Sequence, residues 1–143
     1  APAGTPAHSH RRIRAGDPRM LAAVFVGGAA GTGLRALAEE AWPAGGGWPW
    51  ATLVVNLAGT AILAWVAVRL AERLAPTAYA RPLLGTGLCG GLTTFSTLQV
   101  EVVRLVRADR IALGVVYLAV SVAGGLAIVF LAARAVRRAR WRA

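Results

Sequence analysis

An all-α membrane protein of four transmembrane helices is the fold class to which this sequence points, on three grounds. Of its 143 residues, 57% are hydrophobic and only 15% charged, with a mean hydropathy of +0.57; a soluble domain carries roughly 45–50% apolar and about 25% charged residues. The apolar residues fall into long runs separated by short clusters rich in Pro, Gly and Arg. The arginines stand at the ends of those runs, where membrane helices carry charge on their cytoplasmic flanks. The same composition excludes a disordered chain. A single cysteine, Cys89, cannot build an internal disulfide framework, and His8 and His10, both in a polar leader, are too few for a zinc cluster.

Residues 1–19 read as a disordered, basic cytosolic tail. Crossing about 30 Å of hydrocarbon takes roughly 20 helical residues, and four stretches are long enough: about 20–42, 50–70, 82–106 and 111–135. Pro43 to Pro49 breaks the chain between the first two, with interfacial tryptophans at Trp42, Trp48 and Trp50. Pro76 and Pro82 bracket the second connection, and Asp109 is placed to cap the fourth helix. Residues 20–135 thus form one transmembrane unit, and 136–143 a second basic cytosolic tail. The first span imitates an export signal, with a basic lead and the A-x-A-like Ala36-Leu37-Ala38. Arg35 interrupts it just before that site and three more spans follow, so the reading is a retained helix.

All 16 basic residues are arginines, and with six acids they give a formal charge of +10. Their clustering at span ends argues for a membrane and against nucleic acid. Four spans place both termini on one side, together with twelve arginines: Arg11, Arg12, Arg14, Arg19, Arg69, Arg73, Arg81 and the five from Arg134 to Arg142. The other side holds three, Arg104, Arg107 and Arg110. This asymmetry predicts a multi-pass plasma-membrane protein with cytoplasmic termini.

Polar groups at membrane depth carry the functional information. Asn56, in the middle of the second span, needs a partner across a helix interface or a wet cavity, as interhelical glue or as part of a site. Arg35 lies about 22 Å along the first helix; it is either a snorkelling anchor or part of an anion-attracting vestibule, with Glu39 one turn on as a possible partner. The densest signal is Gly85-Thr86-Gly87-Leu88-Cys89-Gly90-Gly91-Leu92-Thr93-Thr94-Phe95-Ser96-Thr97. So many glycines and hydroxyls make a poor uninterrupted helix, and a break near 89–94 is expected. Irregular backbone at that depth survives only buried in protein or lining a cavity. Carbonyl ends there suit a small cation, and N-terminal ends suit an anion. The glycines alone fit tight helix packing, Gly27 with Gly31 and Gly87 with Gly91; the hydroxyl run favours a site.

Beyond the break, Thr94, Thr97 and Glu101 fall on one helical stripe, beside Phe95, Leu98 and Val102 on the next. A polar track beside an aromatic edge suits an anion, because the ring edge is positive. Glu101 has an alternative partner in Arg104 at the membrane surface. In the fourth span Tyr117 and Ser121 share a face, although Ser121 can also bond back to its own helix. No nucleophile–base pair, paired carboxylates or phosphate loop is visible, so an enzyme is not expected.

Gly27-Gly28-Ala29-Ala30-Gly31-x-x-x-Arg35, Thr52-Leu53-Val54-Val55-Asn56-x-x-Gly59 and Gly90-Gly91-Leu92-Thr93-Thr94-Phe95-Ser96-Thr97 followed by Glu101 together resemble the Fluc/CrcB fluoride channels. The likeness covers all four spans, and its third-span motif is the most specific. It implies an antiparallel dimer with two narrow pores and passive, selective fluoride export that lowers cytoplasmic fluoride. It further implies that backbone carbonyls of Gly90 and Thr93 hold a structural, untransported Na+ and that Asn56 donates to fluoride. By the same resemblance Phe95 supplies a pore ring edge, Ser96, Thr97 and Glu101 follow its polar track, and Tyr117 and Ser121 match the fourth-helix polar positions more loosely.

The family's Thr-Thr-Phe-Ser-Thr-Phe run ends here in Leu98, which has no positive ring edge and should weaken a pore that depends on it. Gly125 falls where the family often has a hydroxyl. Together with the one-sided arginines, this leads us to expect a subunit inserted in one orientation that pairs with an oppositely oriented paralogue rather than with itself. Two alternatives stand beside the channel. A proton-coupled exporter of the small multidrug type should carry a carboxylate within its first span, and Met20–Ala38 has none. A non-conducting membrane assembly subunit would not need the glycine–threonine break.

Overall fold

A computed structural model describes residues 17–45, 47–71 and 79–140. Of the expected tail at 1–19, residues 1–16, with His8 and His10, lie outside the described residues, as do Arg73, Pro76 and Arg142. The first helix, α1 (Pro18–Ala41), begins slightly before the expected start because Asp17 caps it. Its side chain accepts from Arg19 N at 3.0 Å, and Pro18 stands in the first turn, where no N–H is required. The helix ends with Trp42 N–H on the Ala38 carbonyl, ahead of Pro43. After the Pro-Gly connection α2 runs over Trp50–Ala71.

The third expected span is broken, as its glycines and threonines require. Its first half, α3, is wound as a π-helix over Arg81–Cys89 and continues through an α-helical turn, Gly90–Leu92. Thr93 and Thr94 are extended, and α4 (Phe95–Arg107) begins immediately after them. Asp109 departs from expectation. It sits at φ 58° in the turn between α4 and α5 (Ile111–Arg140), and Gly114 N–H closes the first turn of α5 on Arg110 O, so Asp109 is a turn residue rather than the cap. Left-handed backbone is one that Asp tolerates better than most residues. The last helix also runs to Arg140, into the segment expected to be a tail.

Among the described residues, three helices are long and apolar enough to cross a membrane: Pro18–Ala41, Trp50–Val68 and Ile111–Ala135. Neither α3 nor α4 alone reaches that length; at about 1.5 Å per residue, α4 spans about 20 Å. α1 packs chiefly on α3, and α5 on both α2 and α4. The α1–α3 seam brings backbone against backbone. A Cβ at Gly27 would strike Leu83 O, one at Gly31 would strike Leu88 O, and one at Gly91 would strike Gly28 O. The small core lies at the other end, where Leu53, Leu98, Leu105 and Tyr117 pack together with Leu57 and Val102 around them. Large apolar side chains such as Phe25, Leu63, Leu126 and Leu131 face outward, a surface suited to lipid or another membrane subunit and not to water.

Candidate functional site

The break is held by one side chain. Asn56 Nδ2 donates to Thr94 O at 3.0 Å, and Asn56 Oδ1 accepts from Thr94 N at 2.7 Å. An amide carries donor and acceptor side by side, which matches the two backbone groups of one extended residue. Asn56 itself is oriented from α2, where Thr60 Oγ1 bonds back to its carbonyl at 2.8 Å. Thr94 then caps α4, its Oγ1 accepting from Thr97 N at 3.2 Å and donating to Thr97 Oγ1 at 3.0 Å; Ser96 Oγ lies 3.2 Å away.

These bonds release two carbonyls. In a continuous helix Thr94 N–H would bond Gly90 O, and Thr97 N–H would bond Thr93 O. Here Asn56 takes the first donor and the Thr94 hydroxyl takes the second. Thr93 is steadied by its own Oγ1, which donates to Cys89 O at 2.8 Å, and its methyl fills the space over Gly59. Beside the break runs a groove of about 440 Å3, lined by Asn56, Thr60, Gly90, Thr93, Thr94 and Phe95 among others. Phe95 is 72% exposed on its rim, and nothing stands over the Cβ position of Gly90.

The second polar cluster is enclosed. Glu101 is 6% exposed, and both its oxygens are engaged: Thr52 Oγ1 donates to Oε1 at 2.7 Å and Tyr117 OH to Oε2 at 2.6 Å. Thr52 and Tyr117 are fully buried, and the Trp48 ring stands edge-on to Tyr117 with centroids 5.6 Å apart. This settles the open choice for Glu101: its partners are hydroxyls on α2 and α5, and Arg104 is not one of them. Ser121 takes the local option, donating to Tyr117 O at 2.8 Å. Arg35 is doubly engaged, its Nη1 on Glu39 Oε1 at 3.1 Å and its Nε on Gly91 O at 3.3 Å, so it ties α1 to the turn that precedes the break.

Asn56, Gly90, Thr93 and Phe95 thus meet at the groove. Ser96, Thr97 and Glu101 instead line a second cavity of about 500 Å3, together with Arg35, Glu39 and Arg104. Tyr117 reaches that cavity only through Glu101, and Ser121 lines neither. Leu98 does not share the setting of Phe95, since it is 6% exposed within the core. Thr52, which the sequence shows only as part of the motif that ends in Asn56, gains its role from the structure: it stands four residues before Asn56 on the same face of α2 and donates to Glu101.

Apolar outer faces, helices of membrane-crossing length and a helix broken beside a groove that holds Asn56, Thr60 and Thr93 define a multi-pass membrane protein with a discontinuous helix. The chain belongs to the CrcB family: the model described as CrcB-like protein, Camphor Resistance (CrcB), matches residues 22–133. It is similar to the fluoride-specific ion channel FluC 1 of Mycobacterium bovis, 50% identical over 127 residues that cover 88% of this chain and 96% of that protein. FluC 1 of Streptomyces coelicolor is 38% identical over 142 residues, covering 98% of this chain and 90% of its own. FluC of Xylella fastidiosa (strain 9a5c) is 41% identical over 118 residues, covering 81% and 82%.

Proposed function

We propose that this chain is a subunit of a passive, fluoride-selective channel whose export lowers cytoplasmic fluoride. The observation that carries the reading is the break at Thr93-Thr94: a helix opened at mid-span by Asn56, with Phe95 on the rim of the groove and the N-terminal end of α4 facing it. The relatives named as fluoride-specific channels share the chain nearly end to end. α3 and α4 together form the third of four spans, and both termini are cytoplasmic. An anion entering the cavity beside Glu39 would meet the hydroxyls of Ser96 and Thr97 and then the positive edge of Phe95. The N-terminal end of α4 would add favourable dipole and N–H groups to that path. Tyr117 and Thr52 hold Glu101 beside the track, and Ser121 braces Tyr117 from one turn on. Asn56 acts first on Thr94 and thereby sets the groove; donation to fluoride would draw on the same amide.

The groove is largely apolar, but it carries the backbone released at the break beside Asn56, Thr60 and Thr93, groups that lipid would leave unsatisfied, so protein must cover it. We assign that role to a second, antiparallel subunit, and favour an oppositely oriented paralogue because the arginines lie so strongly on one side. The two released carbonyls, Gly90 O and Thr93 O, fit a small hard cation at that interface, and Na+ would supply charge to hold the subunits without being transported. Catalysis has no part in this scheme.

The test is fluoride efflux from liposomes holding the protein alone, read with a fluoride electrode and with chloride as control. Rapid fluoride-selective efflux without a pH gradient is expected of a self-sufficient channel. Silence that is relieved by an oppositely oriented paralogue identifies a heteromeric one, and a requirement for a proton gradient would replace the channel by an exporter. Silence of folded, inserted protein under both conditions would put a non-conducting assembly subunit in its place.

A further inference from the structure

The 500 Å3 cavity holds four charged groups, and they are not equivalent. Arg35 is neutralised by Glu39 at 3.1 Å and spends its Nε on Gly91 O. Glu101 accepts at both oxygens from hydroxyls, which solvate a carboxylate without cancelling its charge. Arg104, one turn further along α4, is exposed and forms no ion pair among the described residues. Two cations therefore face two carboxylates, and Arg104 is the group that balances Glu101 at a distance.

We infer that Arg104 is the anion-admitting residue of this cavity, and that Arg35 serves instead as a tie between α1 and the break. Without Arg104 the mouth carries an excess negative charge beside Thr97 and Trp42 and repels any anion that approaches. With it, the field is balanced and an unpaired guanidinium offers a weakly held stopping point. Exposure is what suits it to the task, because a fully paired or dehydrated cation would trap the anion or ignore it. The inference rests on the anion-channel reading above but concerns only the charge at its mouth.

The experiment compares the wild type, Arg104→Gln, Glu39→Gln and the double variant at an ionic strength of about 0.01 M, where the screening length is about 30 Å, and at about 1 M, where it is about 3 Å. At subsaturating fluoride and low ionic strength, Arg104→Gln is expected to slow efflux about threefold to tenfold, the range for one unbalanced charge near a low-dielectric wall. At high ionic strength the difference should vanish. Glu39→Gln frees the Arg35 charge, so the double variant should recover most of the lost rate. A deficit that is the same at both ionic strengths, or no deficit, overturns the inference.

Absence of efflux in the wild type, both alone and with an oppositely oriented paralogue, overturns the channel reading instead, and the field is then read without transport. Trp42 lines the cavity, and its fluorescence is isolated by subtracting the Trp42→Phe protein. Arg104→Gln should lower its quenching by iodide at least twofold at low ionic strength and leave quenching by neutral acrylamide unchanged. Equal iodide quenching in the two proteins would refute the assignment.

Discussion

Asn56 shows how much one side chain decides. It meets both backbone groups of Thr94, and truncation leaves each without a partner, at about 1–3 kcal/mol per unsatisfied group. We expect Asn56→Ala to lower unfolding stability in detergent by that order and to abolish efflux. Asn56→Asp keeps the acceptor for Thr94 N–H but has no donor for Thr94 O, so it should fall between the two. The Glu101 cluster invites a double-mutant cycle. Thr52→Val and Tyr117→Phe each remove one donor from a buried carboxylate, with an expected loss of about 1–3 kcal/mol apiece. Because both act on the same group, their effects should be non-additive by at least about 0.5 kcal/mol, measured by denaturation of the four proteins. Leu98 belongs to this scale too. Its burial against Leu53, Leu105 and Tyr117 makes it a core residue of its own subunit, which accounts for an aliphatic side chain there.

Among elements, the seam between α1 and α3 carries the sharpest prediction. Gly31 faces Leu88 O and Leu92 N, atoms that belong to backbone and cannot turn aside. Gly31→Ala should therefore reduce stability by about 1–3 kcal/mol or prevent folding. Gly33, on the same helix with nothing within 4 Å of a Cβ, should accept Ala with unchanged or slightly higher stability. Thermal unfolding and the monodispersity of the purified protein distinguish the two. The cap at the start of α4 is the second elemental device. Thr94→Ala should cost about 0.5–2 kcal/mol by freeing Thr97 N–H, and it should restore the option of a bond from Thr97 N–H to Thr93 O. If Thr93 O serves a cation, the same change should weaken the response of the dimer to Na+, read as monomer–dimer equilibrium in sodium against an impermeant organic cation.

For the whole molecule, the distribution of charge and the exposed groove make complementary demands. One-sided arginines predict a single orientation, which accessibility of a C-terminal tag from the cytoplasmic side should show in the entire population. Opened backbone carbonyls in a groove at membrane depth predict a companion subunit. Both hold together if the companion is an oppositely oriented paralogue, and its co-purification with this chain is the expected outcome. A functional homodimer in mixed orientations would instead mean that the arginine asymmetry is too weak to govern insertion.

The class, the three helices long enough to cross a membrane and the place of the break were legible in the residues alone. Each of these follows from local chemistry: apolar length, charge at the ends, and the poor helix propensity of glycine and threonine. The sequence also singled out Asn56, Arg35 and Glu101, because a polar group in an apolar run announces that it needs a partner. It named one partner, Glu39 for Arg35, because the two stand one turn apart on the same helix, and could not name the distant ones. That Glu101 takes Thr52 and Tyr117 rather than Arg104, that Arg35 reaches Gly91, and that Asn56 grips Thr94 are facts of residues up to 56 positions apart. The roles of Leu98 and Asp109 were likewise decided late, by packing and by backbone geometry that no periodicity records. Which polar groups meet depends on how helices cross, and the crossing is set by glycine seams and core shape acting over the whole bundle.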